Sequence, residues 1–301
     1  VENYRKLKEA EIGTYILFQE TYHKESYEKL HPTGPKHNYS YHTEAAIAQI
    51  LEQIMAEDED MSRDMAEMKL YSSGYKIYTT QKTDIQTVLE EEIVKPNYIK
   101  SSKYTEENKE TGKKETKTQY STPTMVIQDH KTGYVVAAAT ATGDKENRTA
   151  ITRLGYLNFP TEINKQTGSS MKPIAVIAPG LETQTFNAAT VYVDLPTTFG
   201  TGANAWNPKD YDQPRGYITI RQAIEVSANI PHAKAIVDMG TEAAIEFCKK
   251  VGLPDFTNEG ASLALGGLDH GVSPAQMAGA YAAIANNGVY KTPIFYTSVT
   301  D

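Results

Sequence analysis

The chain has one cysteine and one tryptophan in 301 residues, no apolar run long enough to cross a bilayer, and no excess of positive charge. A single thiol, Cys248, excludes an internal disulfide. It lies in "EAAIEFCKKVGL", on the apolar side of an expected helix, and reads as a small buried hydrophobe. Crossing a bilayer takes about 18 consecutive apolar residues, and no stretch approaches that. The net charge of −8 and a pI near 5.5 argue against nucleic acid as the main partner. The seven histidines do not cluster: His37 and His42 in "HNYSYH" are too loosely spaced for a zinc site, so no metal or cofactor is expected and the histidines are assigned to the surface. Asn38-Tyr39-Ser40 and Asn147-Arg148-Thr149 match glycosylation sequons, a pattern that arises often by chance. There is no signal peptide and the first residue is Val1, so the chain is expected to be a processed piece with any anchor outside it.

What is present is 40% apolar and 23% charged, the balance of a soluble globular protein. Residues 1–70 are charged and helical; Ile47, Ile50, Leu51 and Ile54 form one apolar stripe. "SSGYKIYTT" (72–80) reads as a strand, and Thr83 with Gln86 as a capping box opening a helix. Residues 101–122 hold nine charged residues and no aliphatic one, which predicts a solvated, mobile loop. "PTMVIQDHKTGYVVAAATATG" reads as two strands joined at Asp129 to Gly133. A late helix starts at Ser273-Pro274, capped by Ser273 with Gln276, and stops at "NNG" (286–288).

Ser-x-x-Lys occurs three times, and context separates the copies. Ser26-Lys29 sits in a polar segment and Ser73-Lys76 enters a strand, where positions three apart face opposite ways. Ser169-Lys172 lies in "NKQTGSSMKPIAV". Gly168 permits a sharp turn, Pro173 suits a first helical turn, and an apolar run follows. Residues three apart share a helix face, so the amine can reach the hydroxyl, and the unpaired N–H groups of the helix start favour an oxyanion. For Lys172 to serve as a base its pKa must fall from roughly 10.4 to about 7, a bias of about 4 kcal/mol that burial and a neighbouring cation would supply. The plain alternative is an N-cap serine and a surface lysine. "RQAIEVSANIPHAKAIV" holds the one Ser-x-Asn, Ser227-Ala228-Asn229, between two apolar helical stretches. It presents a hydroxyl and an amide at a kink, suited to a proton relay and a carbonyl clamp, or else to a simple helix break.

Together with "GYKIYTT", "QDHKTGYVVAAA", "WNPKDYDQPRGYITIRQAIEVSANIPHAK" and "LALGGLDHGVSPAQMAGAYAAIANNG", these boxes resemble the transpeptidase domain of bifunctional (class A) penicillin-binding proteins. The order matches from about residue 40 to 301, as does the spacing of 58 between Ser169 and Ser227. The resemblance implies an α+β fold: an antiparallel sheet covered by helices, a helical subdomain, and the active site between them. It implies that residues 1–70 are a linker after an absent glycosyltransferase domain and that 71–301 are the transpeptidase domain without its C-terminal part. By it, Ser169 is the nucleophile, Lys172 the base, Ser227 a proton relay, and Asn229 a holder of substrate backbone and of Lys172. Trp206 and Tyr211 line the substrate groove or pack beneath it.

The implied reaction is D,D-transpeptidation of peptidoglycan stem peptides, with β-lactams acylating the same serine, at the outer face of the bacterial cytoplasmic membrane. The implied membrane contact is only through an absent N-terminal anchor. The family's third box, Lys-Thr/Ser-Gly, is missing. Lys131-Thr132-Gly133 lies upstream of Ser169 and reads as a hairpin turn, and Lys291-Thr292 is followed by Pro293. Either the coding chain is longer or a second polypeptide supplies that strand. Rival readings are a serine β-lactamase-like hydrolase, disfavoured because no Glu-x-x-x-Asn loop follows Asn229, and a non-catalytic cell-wall scaffold.

Overall fold

A computed structural model describes residues 39–95, 97–107, 112–141, 158–202, 205–257 and 259–300. Helix α1 (Tyr41–Ala56) begins where the Ser40 hydroxyl accepts the Thr43 N–H, and α2 (Arg63–Ser72) begins in the same way at Ser62. The apolar stripe closes this pair: Ile50, Leu51 and Ile54 pack on Ala66 and Leu70. Strand β1 (Lys76–Thr79) and helix α3 (Thr83–Ile93) follow. Next come an exposed hairpin, β2 (Ser101–Glu107) with β3 (Lys114–Tyr120), and a central one, β4 (Thr124–Gln128) with β5 (Val135–Thr140).

Every residue of β5 is buried, because helices cover both its faces. Ala45 and Ala46 of α1 meet Val135 and Ala138 on one side. Leu89 and Ile93 of α3 meet Ala137, Ala139 and Ala141 on the other. Alanines in the strand let both helices approach closely, which a run of larger residues would prevent.

A short α4 (Phe159–Glu162) leads to a 3₁₀ turn at Gly168–Met171, a π-turn at Pro173–Ile177 and α5 (Ala178–Glu182). Strands β6 (Val191–Asp194) and β7 (Gly216–Thr219) pair antiparallel. Helices α6 (Ile220–Glu225), α7 (Asn229–Met239) and α8 (Thr241–Lys250), a second 3₁₀ turn (Ala261–Leu265) and α9 (Pro274–Ala285) complete the helical half. Met171, Ile174, Val176, Ile236, Leu263 and Cys248 lie in its core. Strand β8 (Tyr296–Thr300) pairs with β1. Just before it, Ile294 accepts from Val135 N–H and donates to Gly133 O, at 2.8 and 2.9 Å, joining β1–β8 to β5–β4.

Several expectations hold. The α+β class, the hairpin turn at Asp129–Gly133, the buried Cys248 and the Ser273/Gln276 capping box are all present. "KTG" at 131–133 occupies that turn and packs against Lys291–Thr292.

Others are corrected. Residues 101–122 are not a loop but an antiparallel ladder, solvated as expected yet paired from Ser101–Tyr120 to Glu107–Lys114. Thr83 and Gln86 form no capping box: Gln86 instead bonds both backbone groups of Ala138 at 2.9 Å, a buried bridge to β5 that outcompetes the local cap. Residues 72–80 are strand only from Lys76, since α2 runs to Ser72. His42 and His232 are fully buried rather than at the surface, each held by a backbone carbonyl: Val135 O for His42 and Ala228 O for His232. Ser26-Lys29, His37 and both sequon asparagines lie outside the described residues. No helix among the described residues is long and apolar enough to cross a membrane.

Candidate active site

The Ser169 segment is not an ordinary helix start. Gly168 takes φ +55°, opening a single 3₁₀ turn, and the chain then widens into a π-turn at Pro173, which has no N–H to give. Tight 3₁₀ geometry followed by π-geometry is uncommon, and the surroundings enforce it. Met171 and Ile174 are locked in the core. Tyr281 of α9 donates to Ser170 O at 2.7 Å, and the Ser170 hydroxyl donates to Thr167 O at 2.7 Å. Gly266, at φ +69°, lies so close that a Cβ there would overlap Gly168 O and Thr167 Oγ1. Ser169 itself is exposed, and its hydroxyl has no hydrogen-bond partner among the described residues.

Lys172 is 0% exposed. Its Nζ lies 2.6 Å from Ser227 O, 3.0 Å from Ser227 Oγ and 2.6 Å from Asn229 Oδ1. An ammonium uses all three of its protons in this nest. A neutral amine has two protons for the carbonyl oxygens and one lone pair for the Ser227 O–H. Burial draws the Lys172 pKa down to about 8, while the Asp210 carboxylate pulls it up. The neighbouring charge is therefore an anion, not the expected cation, and desolvation alone supplies the shift.

Ser227 holds φ +55°, a conformation costly for a residue with a Cβ, at the break between α6 and α7. Such strain persists where the surroundings over-determine it. Thr219 and Gln222 fix the start of α6 with a capping box, and Asp210 Oδ1 accepts the Asn229 and Ile230 N–H groups at the start of α7. Asn229 Nδ2 donates to Lys209 O at 2.6 Å, which fixes the amide with its oxygen toward Lys172.

The structure thus brings Lys172, Ser227 and Asn229 into one hydrogen-bonded cluster, with Ser169 one helical step from Lys172. It does not bring Trp206 or Tyr211 into that cluster. Trp206 pairs with Phe199 through backbone hydrogen bonds and ring contact at 5.5 Å, and the Tyr211 side chain is fully exposed. Three participants escaped the sequence reading: Asp210, Tyr281 and Gly266. Only the proximity of Asp210 to the second box within "WNPKDYDQPRGYITIRQAIEVSAN" hinted at any of them.

The penicillin binding protein transpeptidase domain matches residues 123–301. The chain belongs to this family. Penicillin-binding protein 1F of Bacillus subtilis is 36% identical over 177 residues, covering 58% of this chain and 23% of that protein. Penicillin-binding protein 1A of Clostridium botulinum is 28% identical over 282 residues, covering 90% of this chain and 32% of that one. The chain spans about a quarter to a third of the length of these relatives. The crystal structure of penicillin-binding protein 1A from Haemophilus influenzae superposes with a TM-score of 0.59 at 19% identity, covering 85% of this chain and 48% of that one. That likeness supports the α+β fold.

Proposed function

We propose that the chain is a peptidoglycan D,D-transpeptidase domain and a target of β-lactams. The observation that carries this reading is the burial of Lys172 against Ser227 and Asn229, a box 55 to 57 residues away, three positions after an exposed and unengaged serine. A structural lysine has no need of that placement. A base must be desolvated, held and adjacent to a nucleophile.

Neutral Lys172 takes the Ser169 proton as Ser169 Oγ attacks the carbonyl carbon of a D-Ala-D-Ala bond. The proton then passes through Ser227 Oγ to the departing amine, releasing D-alanine and leaving an ester on Ser169. The amine of a second stem peptide attacks that ester, its proton returns through the same groups, and a new amide forms as Ser169 is restored. A β-lactam follows the first half: its ring C–N bond breaks and the ring nitrogen receives the proton. The Asn229 side chain, fixed by Lys209 O, holds Lys172 and borders the path of a substrate backbone. Residues from about Tyr41 onward form one domain, since α1 is built into the sheet. The substrate places this domain outside the cytoplasmic membrane of a bacterium.

The test is intact mass of the full coding chain after exposure to benzylpenicillin, beside Ser169→Ala. A stable adduct of one penicillin, absent in the variant, is expected. Consumption of penicillin without an adduct would indicate a hydrolase, and untouched penicillin a scaffold; either result removes the transpeptidase reading.

A further inference from the structure

Behind the second box two carboxyl groups meet. Asp194 ends β6 and is 0% exposed, and its Oδ2 accepts the Arg215 N–H at 2.9 Å. Asp210 lies in the preceding loop, with Oδ1 occupied by the N–H groups that open α7. The two remaining oxygens, Asp194 Oδ1 and Asp210 Oδ2, are both sealed from solvent, and neither meets a donor from any other group among the described residues. The side chains instead contact each other at hydrogen-bonding range. Two bare carboxylates do not remain in contact away from water, whereas one proton between them satisfies both orphan oxygens together.

The environment decides where the proton resides. Asp210 accepts two N–H groups at the start of an 11-residue helix. Asp194 accepts one N–H group, and burial raises its pKa. Several charged groups among the described residues bear on the pair, and Arg215 is itself paired with Asp212 at 3.4 Å. Lys172 faces Asp210 from the Ser169 turn. Arg215 lies beside Asp194, ahead of β7. His232 on α7 is held neutral by burial, its pKa near 4. Lys234 on α7 is engaged by Val193 O at 2.6 Å, and Asp238 on α7 by the Tyr192 hydroxyl.

We propose that Asp194 and Asp210 are positioning residues that hold one proton between them, the charge left on Asp210 pinning the start of α7 so that Asn229 meets Lys172. Asp210 thereby does two things to Lys172. It fixes Asn229, which grips the amine, and it opposes the effect of burial on the amine's proton affinity. The second of these rests on the acyl-transfer reading of Lys172. The shared proton does not.

The sign of the pH dependence follows from which state binds the proton. Folded Asp194 keeps its proton to higher pH than the unfolded residue, whose pKa is 3.8. The stabilisation is therefore complete below that value and is lost as pH rises through the folded pKa. In Asp194→Asn an amide N–H replaces the proton at every pH, while the amide oxygen still accepts from Arg215. Thermal unfolding of the full coding chain and of this variant between pH 4 and 8 is expected to diverge, the variant gaining on the parent by several degrees as pH rises. Parallel curves overturn the shared proton.

Asp210→Asn supplies the second arm. Its amide keeps the oxygen for Asn229 and donates to Asp194, but the charge moves one carboxyl group further from Lys172. The pH profile of benzylpenicillin acylation is expected to shift downward by about one unit. A purely structural role would lower the rate equally at every pH, and an unmoved profile overturns the charge assigned to Asp210. A protein that never acylates but whose stability curves diverge would sink the transpeptidase reading and leave the proton pair standing. Normal acylation with parallel curves would do the reverse.

Discussion

Lys172 is wholly removed from solvent, as fully as Met171, Ile174 and Leu263 of the described core. A lysine there is costly unless its proton can leave, and the nest of Ser227 and Asn229 oxygens moderates that cost without cancelling it. The acylation rate by penicillin is therefore expected to rise with pH and to level off above about 8, as the amine loses its proton. Lys172→Arg keeps a cation that does not deprotonate and is expected to lose about 10²- to 10⁴-fold in that rate, with no pH-dependent rise left. Stopped-flow or quenched acylation between pH 5.5 and 9.5 reads both. Cys248 shows the same burial with a different consequence: its thiol is pushed up to about 12 by desolvation. Native protein is expected to resist a thiol-disulfide reagent at pH 8 and to release one equivalent only after unfolding.

At the scale of elements, the sequence made the Ser169 turn legible because its determinants are local: Gly168 for the turn, Pro173 for the entry, and "IAVIA" for the buried face. The 3₁₀-to-π path was not legible, because its cause lies 98 positions on, where Gly266 brings its backbone against Gly168 and Thr167. Gly266→Ala is expected to push that turn outward. A Cβ would enter occupied space at a positive φ, and a shift of about 1 Å at the nucleophile costs on the order of 10²-fold in rate. Gly260→Ala, in the same segment with open space around it and ordinary φ, is expected to acylate as the parent does. Equal rates for the two variants would show that the second 3₁₀ turn does not shape the first. Asp194 and Asp210 were illegible for a similar reason. Fifteen residues of loop separate them, and nothing in either neighbourhood marks a carboxyl as buried. His42 and His232 escaped because each meets a backbone carbonyl, Val135 O and Ala228 O, and such partners leave no trace in side-chain patterns.

For the whole molecule, the same contrast separates core from appendage. Strands β1, β4 and β5 are legible from β-branched, aromatic and apolar content and from the turn at Asp129–Gly133, while β8, with only two of its five residues partly buried, escapes the sequence reading. The β2–β3 hairpin has no such signal, since its described residues are exposed on both faces. Its pairing rests on backbone bonds and on pairs such as Lys117 with Glu106 at 2.8 Å, an exposed bridge that contributes little. A two-stranded ribbon with no buried face is marginal by itself, so this one is held at its base, where Ser121 N–H donates to Lys100 O at 2.7 Å and Ser121 Oγ accepts from Lys100 N–H at 2.8 Å. The ends of the ribbon are therefore neighbours and can be joined directly. Replacing residues 101–120 by a short glycine-serine link is expected to change global stability by less than about 0.5 kcal/mol, the scale of surface substitutions, and to leave penicillin acylation in place. Amide exchange in the intact chain is expected to be far faster along β2 and β3 than along β5, whose amides lie between two helices. Slow exchange in the ribbon, or unfolding of the shortened chain at markedly lower denaturant, would mean that something covers the hairpin in solution.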